Sequence, residues 1–323
     1  MANYDMRILT GNANRKLASD IAAYLGLPLS DMEVSRFSDG EIKVKINESM
    51  RGADVFAVQP TYPACSDTIM ELLIIIDALK RASPRRIVAV IPYYGYGRQE
   101  KKTSGREPIT ARLIADLLTV AGAHRILALD MHVPSIQGFF NLPVDHLAAG
   151  PLLADYFVAH GLGDGNTVVV SPDVGGVGTA RAGADRLAAT LAIIAKRRPQ
   201  PNEAEVMEVI GDLEGKRAIF FDDMIDTAGS LVSGAAAVAE RGASEIYACA
   251  THGIFSDDAI SRLADSLIRE VVVTDTIPLA PERRIEKITV LSVAPLLAEA
   301  IRRVHEDASV SSLFDRLWVE DKR

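Results

Sequence analysis

Residues 219–230 read IFFDDMIDTAGS. An apolar run ending in Ile219, Phe220 and Phe221 leads into two adjacent acids, Asp222 and Asp223. A third acid, Asp226, follows, and then the small residues Thr227, Ala228, Gly229 and Ser230. An apolar run without polar alternation is the pattern of a strand covered on both faces, hence of a parallel sheet. The small residues then open a helix expected over 230–241, which stops before Gly242. At such a junction the consecutive amides of Thr227, Ala228, Gly229 and Ser230 point at one anion, and the dipole of the helix reinforces them. The hydroxyls of Thr227 and Ser230 add donors. Asp222 and Asp223 stand where they would hold a pair of ribose hydroxyls or anchor a magnesium ion. An alanine in the left-handed region costs roughly 1–2 kcal/mol. A negative φ is therefore expected at Ala228, with Gly229 taking any left-handed turn.

The same grammar extends along the chain. Apolar runs predict strands over 7–10, 54–59, 86–92, 125–130, 167–171, 217–222, 245–251, 270–274 and 288–292. Helices are expected between them, over 14–25, 66–81, 108–121, 230–241 and 294–306. Ser66 offers an N-cap and Pro108 a first-turn proline. Strand–helix alternation of this kind predicts an α/β fold. The stretches 84–122 and 216–243 each read strand, polar loop, helix, small-residue stop and strand, which suggests two similar halves. The boundaries expected are 1–148 for the first domain and 149–304 for the second, with the tail over 305–323 packing back on the first.

Length and composition agree. The chain has 323 residues, 48% hydrophobic and 24% charged, which suits two apolar cores and excludes a disordered chain. A net charge of -8 argues against a nucleic-acid partner, which needs a basic face. Two cysteines, Cys65 and Cys249, are too few for a disulfide framework or a zinc site. No signal segment and no apolar run of about 18 residues is present, so a cytoplasmic location without a membrane partner is expected.

The loop at 219–230 resembles the phosphoribosyl-binding loop shared by phosphoribosyltransferases and phosphoribosyl diphosphate synthases. Six more segments narrow the resemblance: RFSDGEIKVKI (36–46), PYYGYGRQEKK (92–102), LALDMHVPSIQGFF (127–140), VVVSPDVGGV (168–177), AIIAKRRP (192–199) and VTDTIPL (273–279). In order and spacing they resemble the ribose-phosphate pyrophosphokinase family, in its phosphate-activated, ADP-inhibited class. The resemblance implies two similar phosphoribosyltransferase-like domains, each a mainly parallel sheet flanked by helices. It also implies transfer of the pyrophosphoryl group of ATP to ribose 5-phosphate, for nucleotide, histidine and tryptophan biosynthesis, with magnesium as cofactor and a homohexameric assembly.

Site residues follow from the resemblance. Phe37, Asp39, Gly40, Glu41, Arg98, Gln99 and His132 are implied on the ATP side. His132 and Asp173 are implied as metal-binding, although histidine is an unusual partner for a hard cation. Lys196 and Arg198, on a flexible basic loop, are implied as catalytic, Arg198 also touching ribose 5-phosphate. That substrate is otherwise held by Asp222, Asp223, Asp226, Thr227, Ala228, Gly229 and Ser230. Ser49, Arg51, Ser309, Ser311 and Phe314 match regulatory positions for phosphate and ADP. The chain departs from the family pattern at Ala228, Ser230, Ala195 and Thr179, usually Gly, Thr, Asp and Arg. Two other readings use the same loop. A phosphoribosyltransferase would not need RFSDGE, GRQ and AKRRP together. A non-catalytic subunit would be expected to have lost Lys196, His132 or the loop acids.

Overall fold

The computed structural model describes residues 4–197 and 206–313, in two compact units. Of the described residues, unit one holds those up to Ala148, Thr276–Pro278 and those from Ser292 to Leu313; unit two holds the remainder. The sequence boundary at 148/149 coincides with this division. The helix at the far end does not: it was expected in the second domain, over 149–304, and belongs to unit one.

Unit one is built on a parallel sheet, five-stranded among the described residues, in the order β1 (Met6–Thr10), β4 (Asp54–Val58), β5 (Arg86–Ile91), β6 (Arg125–Leu129) and β7 (Val144–Leu147). An antiparallel hairpin, β2 (Met32–Arg36) with β3 (Ile42–Ile46), stands outside it. The helices are α1 (Arg15–Tyr24), α2 (Cys65–Arg81), α3 (Thr110–Ala121) and α8 (Ala294–His305). Ile69, Leu72, Ile75, Ile76 and Leu79 of α2 are buried, the i, i+3, i+4, i+7 stripe that its spacing dictates. Ser66 is not its cap. That position falls to Ala64, in a left-handed conformation and without a side-chain bond. Pro108 likewise lies just before α3 rather than in its first turn.

Unit two carries a seven-stranded sheet among the described residues, ordered β10 (Val206–Ile210), β9 (Thr190–Arg197), β8 (Thr167–Ser171), β11 (Arg217–Ile225), β12 (Glu245–Gly253), β13 (Glu270–Thr274) and β14 (Ile288–Leu291). All its pairs are parallel except β9 with β10. Its helices are α4 (Gly150–Ala159), α5 (Val177–Arg186), α6 (Gly229–Glu240) and α7 (Ala259–Ala264). Helix α5 is rich in glycine and alanine, a poor local signal. Packing decides it: a Cβ on Gly183 would stand 3.1 Å from the Phe221 ring, so glycine lets the helix sit close on the sheet without displacing that ring.

The order β8-β11-β12-β13-β14 repeats β1-β4-β5-β6-β7, so the two units share one plan. The equivalence differs from the sequence expectation by one strand–helix step. β11 occupies the place of β4, not of β5, the strand within the stretch 84–122. No helix among the described residues is long and apolar enough to cross a membrane. Cys65 and Cys249 are both free thiols.

One buried charge ties α8 to unit one. Asp54, the first residue of β4, has a fully buried side chain. Arg85 Nη1 donates to both its oxygens at 2.9 Å, Arg86 Nη2 donates at 2.7 Å, and His305 Nδ1 lies 2.9 Å away. Burial alone would push the carboxyl up, but the bonds from Arg86, His305 and Arg85 outweigh it and hold it below the usual range. A depressed pKa gives stability that is present above the unfolded carboxyl range and lost as pH falls through the folded value. Asp54→Ala strands two guanidinium groups beside an apolar core. It should cost about 3–5 kcal/mol in urea unfolding at neutral pH, and less under strongly acid conditions. A loss below ~1 kcal/mol would show that the cluster is surface-like.

Candidate functional site

In unit two the strand that leads to the site is longer than its apolar run. β11 continues to Ile225 and stays paired with β12, Ile225 opposite Gly253. Asp222 and Asp223 therefore lie on the strand itself, not beyond it. After Asp226 the chain turns into α6, whose start has no side-chain cap. The first amides of a helix have no intrahelical partner, so this uncapped start is open to an anion.

A cavity of about 210 Å³ sits at this junction. Asp173, Asp222, Asp226 and the whole run Thr227, Ala228, Gly229 and Ser230 line it. Asp223 does not. Of the two adjacent acids, the structure thus turns Asp222 toward the cradle. Asp222 Oδ1 also accepts a bond from the Asp223 amide at 2.9 Å. Its carboxyl is pushed up to about 8, first by burial, then by the charge of Asp223 and, more weakly, of Asp173. Asp173 follows β8, and its Oδ1 accepts from the Gly176 amide at 2.8 Å, which fixes the loop before α5.

Ala228 overturns the backbone expectation. Its φ is +58° and ψ is 0°, so the alanine takes the left-handed turn, whereas Gly229 has no positive φ. The side chain is buried. The two carbonyls before this turn are both held, that of Asp226 by Ser256 N at 3.0 Å and that of Thr227 by Arg262 Nη1 at 2.8 Å.

In unit one the hairpin tip carries Phe37, Asp39, Gly40 and Glu41. Phe37 N donates to Glu41 O at 2.9 Å, Glu41 N to Asp39 Oδ1 at 3.1 Å, and Gly40 supplies the turn with φ +97°. The Phe37 ring is 52% exposed, a free aromatic face, with Lys43 Nζ at 5.5 Å from its centroid. Arg98 and Gln99 are exposed on the segment after β5, and Gln99 Oε1 accepts from Thr110 at the start of α3. Exposed His132 follows β6, and a Cβ on Gly97 would lie 3.4 Å from His132 Cβ. The structure thus brings the Arg98–Gln99 segment and His132 together. Residues 101–106 belong to the polar loop between β5 and α3. Glu107 organises them, accepting bonds from the hydroxyls and amides of Thr103 and Ser104, which lower its carboxyl to about 2.

Sequence reasoning missed the support of this hairpin. Buried Glu71, on α2, accepts from Gln59 Nε2 at 2.8 Å and from the Asn12 amide, while Asn12 Nδ2 donates to Val34 O of β2 at 3.2 Å. A Cβ on Gly11 would collide with the polar ends of Gln59 and Glu71, so any other residue there must displace these bonded groups. The signal was a single acid within the apolar stripe IMELLIII.

Lys196 lies near the end of β9, opposite Met207 of β10, so a paired strand replaces the loop expected there. Arg198 and Phe314 lie outside the described residues. Ser309 and Ser311 line a cavity of about 370 Å³ with Arg125 and Asp145; Ser49 and Arg51 follow β3 and are not part of that lining. Among the described residues no three His, Cys, Asp or Glu side chains gather to hold a metal unaided.

Comparison with known proteins adds to this geometry. Residues 6–122 match the family model for the N-terminal domain of ribose phosphate pyrophosphokinase, and 197–315 match a phosphoribosyl synthetase-associated domain. A ribose-phosphate pyrophosphokinase of Caldanaerobacter subterraneus is 61% identical over 97% of this chain and 100% of its own length. One from Halalkalibacterium halodurans is 56% identical over 98% and 100%. The crystal structure of phosphoribosylpyrophosphate synthetase from Mycobacterium smegmatis superposes with a TM-score of 0.89 at 44% identity, covering 94% of this chain and all of that one.

Two outcomes follow from the cradle. Ala228→Gly relieves the left-handed alanine but frees the unfolded chain, a net gain of about 1 kcal/mol in urea unfolding. A loss would show that the buried methyl contributes more than the backbone strain costs. Asp222 has a raised folded pKa, so its contribution to stability is complete below the unfolded value and falls as pH rises toward about 8. In the absence of ligands, Asp222→Asn should therefore raise Tm more at pH 8 than at pH 5. Equal gains at the two pH values would mean that Asp222 titrates as an ordinary carboxyl.

Proposed function

Because the chain belongs to the ribose-phosphate pyrophosphokinase family, we propose that it transfers the β,γ-pyrophosphoryl group of ATP to the 1-hydroxyl of ribose 5-phosphate. The products are 5-phosphoribosyl 1-diphosphate and AMP. The observation that carries this reading is the uncapped start of α6, set against the strand acids in one cavity. It has donors for a phosphate at one end and carboxylates for sugar hydroxyls at the other.

The amides and hydroxyls from Thr227 to Ser230 bind the 5-phosphate. Asp222 and Asp223 take the ribose hydroxyls, Asp222 from inside the cavity. Asp226 orders the turn between them. On the ATP side, Phe37 stacks on the adenine, while Asp39 and Glu41 read its amino edge. Arg98 spans phosphate oxygens with its planar fork, beside Gln99 and His132. The 1-hydroxyl oxygen attacks the β-phosphorus, the bond from that phosphorus to the α,β-bridging oxygen breaks, and AMP leaves with that oxygen. Such a transfer depends on alignment and on neutralising spreading charge. Lys196 and Arg198 supply positive charge to the transferring group.

The donors fit magnesium in its usual mode, in which one or two carboxylates join substrate phosphates and water. Asp173 is the protein carboxylate for it, and His132 fits a phosphate oxygen better than a hard cation. When bound, the ion neutralises phosphate charge. The chain assembles as a homohexamer. Phosphate activates it and ADP inhibits it through Ser309, Ser311 and Phe314 with Ser49 and Arg51.

Mixing the protein with ATP, magnesium and ribose 5-phosphate should release AMP in step with ribose 5-phosphate consumed; no AMP would refute the reading. Lys196→Ala should lower kcat at least about a hundredfold with little change in the KM for ATP, since its charge acts on the transition state. An unchanged kcat would remove Lys196 from the chemistry.

A further inference from the structure

The phosphate cradle is shaped by a part of unit two that the family motifs do not include. Arg262, on α7, donates from Nη1 to the Thr227 carbonyl at 2.8 Å. Ser256, just before α7, donates its amide to the Asp226 carbonyl at 3.0 Å. The segment that makes these bonds is itself held: Ile254 N donates to Ile225 O at 3.0 Å, and Arg283 Nη1 donates to the carbonyls of Ile254 and Phe255 at 3.2 and 2.8 Å.

The consequence is stereochemical. In a trans peptide the C=O and N–H point in opposite directions. Holding the carbonyls of Asp226 and Thr227 against the α7 segment turns the amides of Thr227 and Ala228 away from it. Those are two of the donors the cradle needs. The left-handed Ala228 follows directly on these two held peptides.

A second observation concerns the space beside Gly229. A Cβ placed there would meet nothing closer than 3.9 Å, and both atoms at that distance are donors, Arg262 Nη1 and Thr227 Oγ1. No protein atom compels a glycine here, and its φ is not positive. The open volume faces a cation and a hydroxyl, which is the setting of a phosphate oxygen. Arg262 is exposed, and its Nη2 lies 3.9 Å from Asp258 Oδ2, a loose ion pair that leaves its charge available to the cradle.

We infer that Arg262 is a positioning residue for the 5-phosphate of ribose 5-phosphate, turning the Ala228 amide into the cradle through the Thr227 carbonyl and lending its charge to the bound anion. The inference rests on the proposed function. Steady-state kinetics on full-length Arg262→Ala and Arg262→Lys, with Tm and magnesium-ATP binding as controls, test it. Arg262→Ala should raise the KM for ribose 5-phosphate about tenfold while the KM for ATP and kcat stay within about twofold. Arg262→Lys, which keeps the charge and loses the planar fork, should fall between that variant and the parent. Calorimetric binding of ribose 5-phosphate without ATP should weaken in the same order. An unchanged KM for ribose 5-phosphate overturns the inference, as does an equal rise in both KM values, which marks a merely structural role. If Arg262→Ala does not fold, Arg262→Lys alone decides, an unchanged KM again counting against the inference. Either failure leaves AMP release by the parent protein intact, so it stays distinct from a failure of the reaction assignment.

Discussion

A helix that begins without a cap leaves its first amides to whatever anion arrives, and in unit two much of the local structure serves that fact. β11 brings Asp222 to the edge of the cradle, and α6 opens it. The bonds from Ser256 and Arg262 set the peptides between them. Burial raises the Asp222 carboxyl because the strand stays paired beyond its apolar run. Two of these features are costly in isolation, a left-handed alanine and a buried acid, and such costs cluster where a ligand is to be met.

Unit one repeats the plan and changes the chemistry. After β4 the chain passes through Tyr62, Pro63 and Ala64 into α2, as after β11 it passes through Asp226, Thr227 and Ala228 into α6. Ala64 and Ala228 share the left-handed turn, with φ +56° and +58°. Pro63 has no N–H to offer, and Asp67 brings a carboxylate to the first turn of α2, where Arg36 of the hairpin meets it at 3.0 Å. The helix start proposed to take phosphate in unit two thus has, as its counterpart in unit one, an anchor for the hairpin. Glu71 and Asn12 fasten the same hairpin from behind. One backbone plan yields a phosphate cradle in one unit and a platform carrying Phe37 in the other.

Local sequence was informative where one residue's chemistry acts on its own neighbours. The apolar runs marked the parallel strands because burial on both faces removes polar alternation, and the α2 stripe followed from its spacing. The grouping of Asp222, Asp226 and Thr227 to Ser230 at one cavity was legible because these residues lie within a few positions of one strand–helix junction. Less legible were β7, short and polar, and α5, rich in glycine, because their stability comes from what they pack against. β9 was read as a loop since the charges at its end obscured a strand that pairs with β10.

The sequence by itself determined the fold class and the family, because these depend on residue type and spacing within a few positions. Tertiary structure decided which face of β11 borders the cavity, and strand alternation then put Phe220, Asp222 and Met224 on that face and left Asp223 off it. It decided that Ala228 rather than Gly229 turns left-handed, because the strand-to-helix plan that both units share places the turn there, at Ala64 as at Ala228, against a local preference of about 1–2 kcal/mol. It decided, too, that α8 belongs to the first unit, through a buried carboxylate 251 residues from the histidine it meets. Such contacts join residues remote along the chain, and no local pattern encodes them.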